Sequence, residues 1–203
     1  MNAKDRYFIC HPTAEKGEEV WFHSILPINK LPDSASISIS TTGFALVYVN
    51  GRNASTATLW PYRPDNSPGI ASQDIDITAL LSYGRNVISI WYAPCLQPIC
   101  QLSGDDSNAF TAQCQGSQTG DCQISVSITT VTEGKEQRFC DTEKDWLCSI
   151  AAGKMTQKGE DYDAMAYQQD WKTFIYAVTP LWIGAEKANL SHPVLNDIPD
   201  IPL

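Results

Sequence analysis

Three acids stand close together in Gly159-Glu160-Asp161-Tyr162-Asp163-Ala164. Two carboxyl groups held about 5–10 Å apart can cleave a glycosidic bond if one stays protonated near neutral pH. On an extended segment, however, Asp161 and Asp163 share one face while Glu160 points away, and acids in a loop are ordinarily solvated. Cleavage is therefore not expected of this cluster. A hydroxyl nucleophile fares no better, because the chain has no Gly-x-Ser-x-Gly elbow and its histidines, His11, His23 and His192, are scattered.

Holding a sugar asks for less: a flat aromatic face against the apolar side of a pyranose, with amide, carboxylate or guanidinium groups to pair its hydroxyls. The loop Trp60-Pro61-Tyr62-Arg63-Pro64-Asp65-Asn66 carries all of these. Trp60, Tyr62, Arg63 and Asp65 are the leading carbohydrate-binding candidates, joined by Tyr92, Glu160 and Asp163. Against this stands the plainer reading that Trp60 caps the core and Arg63 lies on the surface. Trp91 and Tyr92 are adjacent in a strand pattern, so one of the two must face the core.

Oxygen-rich loops also suit a hard cation. Calcium is a possible cofactor near Asp105 and Asp106, with Ser107 and Asn108, and the Glu160 to Asp163 stretch offers further donors. Neither matches a defined calcium loop. Six of the seven cysteines fall into short-range couples, Cys95 with Cys100, Cys114 with Cys122, and Cys140 with Cys148, leaving Cys10 over. None has the spacing of a zinc ribbon. Disulfides fit an extracytoplasmic protein, periplasmic or secreted, although free thiols in a reducing cytosol are the alternative. Residues 1–6 have no apolar stretch behind them to act as a signal peptide, so an export signal is not expected within the chain.

The elements that must position these groups read as strands. Glu19 to Leu26, Ser34 to Ser40, Phe44 to Val49 and Ile124 to Val131 alternate apolar and polar residues. Asn50-Gly51 accepts the positive φ angles of a type I′ turn, which predicts a return strand near Thr56 to Trp60 and explains Asn50 without ligation. In DIDITALLSYGRNVISIWY, Asp74 to Tyr92, the period changes midway: a strand, a single helical turn capped by Thr78, and a second strand from Asn86. Asp145 to Ile150 and Lys172 to Val178 read as two more short strands. Cys95 to Cys122 has no sustained period and reads as a loop insertion, and the tail at about 191–203 is rich in proline. Charged residues make up only 18% of the 203, which favours strands over helices with solvated outer faces. All of this fits one all-β domain over residues 1–203.

A net charge of -9 repels a phosphate backbone, so nucleic acid is not an expected partner. No run reaches the roughly 18 apolar residues that span a bilayer, so no membrane partner is expected.

The order of these motifs resembles the N-terminal accessory domain of bacterial α-L-rhamnosidases. The likeness is carried by VWFHSILPI at Val20 to Ile28, SASISISTTGFALVYVNGR at Ser34 to Arg52, and the strand, Leu-Leu turn and Gly-x-Asn-Val-Ile strand of Asp74 to Tyr92. Further along, Asp141-Thr142 with Trp146, then Gly159-Glu160-Asp161-Tyr162-Asp163-Ala164 and Trp171, is similar to the family's late signature. Met165 stands where relatives carry arginine. The resemblance implies an antiparallel β-sandwich of the galactose-binding-like, jelly-roll type. It also implies a non-catalytic, carbohydrate-associated module, with a glycan and a catalytic glycosidase domain as partners. The family's catalytic carboxylates lie in a separate helical barrel, for which a chain ending at Leu203 has no room. The alternatives are a structural or protein-interaction sandwich without a sugar site, or a fragment of a larger glycoside hydrolase.

Overall fold

The computed structural model describes residues 7–41, 43–55, 71–94, 124–139, 146–156, 158–173 and 181–188. In Ser34–Thr41 the alternation of SASISIST turns Ala35, Ile37 and Ile39 inward, each buried, and leaves Ser36 and Ser38 half-buried on the other face. The same logic builds the other strands: β1 (Ile9–Cys10), β2 (Glu18–Ile28), β3 (Ser34–Thr41), β4 (Phe44–Val49), β5 (Arg52–Asn53), β6 (Ala71–Asp76), β7 (Gly84–Ala93), β8 (Ile124–Thr132), β9 (Lys135–Phe139), β10 (Leu147–Thr156), β11 (Gly159–Tyr162), β12 (Ile183–Gly184) and β13 (Glu186–Lys187).

Every pairing among the described strands is antiparallel, and the strands divide into two sheets. One runs β13-β1-β8-β3-β6 with β9 added to β8, and the other runs β11-β10-β2-β7-β4-β5 with β12 added to β10. We call the second the β2–β7 sheet. The core lies between the two sheets: Ile37, Ile39, Ile75, Ile124 and Ile128 from the first meet Val20, Phe22, Leu26, Val47, Ile88, Ile90 and Tyr92 from the second. The fold is thus the expected all-β antiparallel sandwich.

The hairpin at Asn50-Gly51 forms, with φ of 52° and 79°, but the return begins at once. Arg52 and Asn53 pair with Val49 and Tyr48, while Thr56 to Trp60 lies outside the described residues. The single turn is a 3-10 helix, Thr78–Leu80, and Thr78 does not cap it. Instead the Asp76 carboxylate accepts from the Thr78 N–H (2.8 Å) and hydroxyl (2.6 Å). The strand expected at Asp145 to Ile150 runs longer, to Thr156. Lys172 and Thr173 sit in a turn rather than a strand, the Thr173 N–H donating to the Asp170 carbonyl at 3.0 Å, and residues 174–178 lie outside the described set. Trp171, two residues earlier, packs on the sheet and makes this segment a cover instead of a ribbon.

Candidate functional site

Glu19, Trp21 and His23 alternate along β2 away from the core, yet all three are buried, at 2%, 2% and 7% exposure. A second layer covers this outer face. Trp171 stacks on Trp21, with ring centroids 5.0 Å apart and planes at 14°; Tyr167 meets Trp21 edge-on at 5.8 Å, and Trp182 meets His23 at 5.7 Å. Gln168 ties the cover down, accepting from the Trp182 indole N–H at 2.8 Å and donating to Ser149 at 3.3 Å. The Ser89 hydroxyl reaches the carbonyls of Trp171 and Lys172.

Glu19 lies at the edge of this cover. Its Oε2 accepts a 2.6 Å hydrogen bond from the Trp91 indole, whereas Oε1 is buried without a partner. A β-bulge in β10, between Ile150 and Lys154, brings Gly153 under the carboxyl group. A Cβ added there would come within 2.4–2.7 Å of the Glu19 carboxyl atoms, so a residue larger than glycine does not fit without displacing it. Gly153 pairs directly with Tyr162 of β11; Tyr162 is 56% exposed, and its ring centroid lies 6.5 Å from that of Tyr167, itself 41% exposed. Tyr162, Gly153 and Glu19 thus neighbour one another on successive strands, and Trp91, which stands opposite Trp21, reaches Glu19 diagonally through its indole.

Burial pushes the Glu19 carboxyl up to about 7; the Trp91 hydrogen bond works against this and the Glu160 carboxylate adds to it. The Tyr162 phenol is also raised, by desolvation first and then by Tyr167, Glu160 and Glu19. A carboxyl group with one free oxygen and a proton it can keep near neutrality is able both to donate and to accept a hydrogen bond.

Of the residues singled out by sequence, Glu160 stands on exposed β11 beside this group. Asp163 follows at its end, but its carboxylate accepts from the Met165 N–H at 2.9 Å and so is turned onto its own backbone. Tyr92 is corrected: it is fully buried in the core, where a sugar ring cannot reach it, and Trp91 is the neighbour that faces outward. Trp60, Tyr62, Arg63 and Asp65 lie outside the described residues, as do Asp105 and Asp106. Among the described residues no three His, Cys, Asp or Glu side chains converge to hold a metal. Of the disulfide candidates, Cys148 lies among the described residues. Cys148 is a free, buried thiol pushed up to about 12 by burial and by nearby Cys10 and Glu186. Cys95, Cys100, Cys114, Cys122 and Cys140 lie outside the described residues. Met165, in the arginine position, is 94% exposed. Glu19 and Gly153 escaped the sequence reading, although the run Glu19-Val20-Trp21-Phe22-His23 carries a signal: it puts polar groups and an indole on one face and apolar residues on both.

A two-sheet antiparallel sandwich with an aromatic outer layer over one sheet defines the class: an all-β sandwich domain. The model of the α-L-rhamnosidase N-terminal domain matches residues 30–202, and the chain belongs to that family. Solved structures agree on the fold. The α-L-rhamnosidase from Dictyoglumus thermophilum matches with a TM-score of 0.69 and 14% identity over 91% of this chain and 21% of its own. That from Aspergillus terreus gives 0.68 and 17% over 93% and 22%. The Streptomyces avermitilis α-L-rhamnosidase, solved with L-rhamnose, gives 0.64 and 16% over 87% and 16%. The chain thus spans about a fifth of the length of these proteins or less. No curated protein sequence matches it significantly.

Proposed function

We propose that this domain is a non-catalytic module that supports glycan recognition for an α-L-rhamnosidase-type hydrolase, using the rim of the β2–β7 sheet as its contact surface. One observation carries the reading: Tyr162 and Tyr167 present exposed rings beside the carboxyl groups of Glu160 and Glu19, the pairing of aromatic face and hydroxyl partner that a pyranose needs. Family membership supports a role beside a glycosidase, and the match to the N-terminal domain rather than the barrel supports the absence of catalysis.

Titration calorimetry against rhamnose, galactose and rhamnose-containing oligosaccharides, with and without calcium, tests this. Saturable heat that Tyr167→Ala reduces, with no release of nitrophenol from a nitrophenyl α-L-rhamnoside, is the expected result. Heat lost in Trp60→Ala alone would move the contact to the Trp60 to Asn66 loop. An absence of binding across the panel would leave a structural or protein-interaction sandwich.

A further inference from the structure

The orphan oxygen of Glu19 has no use in the sandwich itself. A buried acceptor or donor left unpaired costs roughly 1–3 kcal/mol, and an apolar residue of similar shape would remove that cost. Three features around it share one geometry. Gly153 lacks the side chain that would otherwise fill the position beneath the carboxyl group. Tyr162, directly opposite Gly153 in the ladder, is the side chain placed to lie over that glycine and the carboxyl group upon it. Tyr162 also belongs to a strand whose four residues are all exposed, and its ring contact with Tyr167 is a tilted one at 6.5 Å. A ring held so lightly changes rotamer readily.

Resting on the glycan-recognition reading, we propose that Glu19 is the specificity-determining residue of the site: when the Tyr162 ring turns off Gly153, Oε1 pairs with one ring hydroxyl of a neutral sugar, and the turned ring covers the sugar's apolar face. The Trp91 indole holds Oε2 and so fixes the direction in which Oε1 points. A hydroxyl suits this oxygen because it donates to a carboxylate and accepts from a carboxylic acid, so the pair survives either protonation state. A uronic acid suits it less, because its carboxylate would face the neighbouring Glu160 carboxylate.

The test uses the same calorimetry on Glu19→Leu, Glu19→Gln and Tyr162→Ala, with folding checked by circular dichroism and thermal melting. For any neutral sugar that the wild type binds, Glu19→Leu and Tyr162→Ala are expected to weaken affinity at least tenfold. Glu19→Gln, which keeps a donor and an acceptor, should stay within about threefold, and the matching uronic acid should bind at least tenfold more weakly to the wild type. Undiminished affinity in a folded Glu19→Leu would overturn the role of Glu19 and leave the glycan module standing. Should Glu19→Leu fail to fold, undiminished affinity in Tyr162→Ala, whose site is exposed, overturns it equally. If the wild type binds no sugar, both proposals fall together.

Discussion

Glu19 shows how one residue can set a property of the whole chain. Its carboxyl group titrates near 7 in the folded protein against an ordinary value of 4.5, so between those pH values the native state holds a proton that the unfolded chain has released. The stability associated with the protonated form is fully present below about pH 4.5 and is lost as pH rises through 7. The loss is on the order of 3 kcal/mol, since each tenfold difference in proton affinity between the folded and unfolded chain is worth about 1.4 kcal/mol. Glu19→Gln removes this titration while keeping the Trp91 hydrogen bond. Urea denaturation at pH 5 and pH 8 should therefore show the variant gaining on the wild type by roughly 2 kcal/mol or more at the higher pH. An equal offset at both pH values would mean that burial does not govern Glu19.

Among the elements, the turn after β4 is tied to the turn before β7 by paired amides. Asn50 donates to the Leu80 carbonyl (3.0 Å) and to the Asn86 side-chain oxygen (2.8 Å), and accepts from the Val87 N–H (2.8 Å). Asn86, fully buried, also receives the Ser82 N–H and donates to the Ser82 carbonyl, each at 2.8 Å. Removing the Asn86 amide leaves several of these groups unpaired away from water. Asn86→Ala is expected to destabilise the domain by about 2–4 kcal/mol, read from the shift of a urea midpoint at unchanged slope. The Asn-Gly hairpin was legible in sequence because positive φ angles select those two residues, and Asn50 indeed stands at 52°. Its clasp onto Asn86 was not, because a side chain's partner 36 residues away leaves no local period.

For the molecule as a whole, the sandwich core and the aromatic cover are separate hydrophobic clusters, one between the sheets and one outside the β2–β7 sheet. Trp171→Ala deletes the ring stacked on Trp21, and core truncations of this kind cost about 3–5 kcal/mol. Hydrogen exchange should then accelerate through residues 163–173 while β3 and β8, which pair over eight residues beneath the other sheet, stay protected. Uniform acceleration would show that cover and sandwich unfold as one unit. The sequence by itself determined the strands with one buried face, since a period of two is a local property: Phe44 to Val49 reads the same in both, and β3 and β8 differ only at their ends. It also determined the family, through the order of its motifs. The tertiary structure alone decided which face of β2 is covered, that Tyr92 points inward, and that Cys148 remains a free thiol. It alone brought Glu19, Trp91, Gly153 and Tyr162 together, because they stand on four different strands, with Trp91 reaching Glu19 diagonally from its place opposite Trp21 and Gly153 set by a bulge, and pairing between strands distant in sequence is fixed by how the sheets close, not by any spacing along the chain.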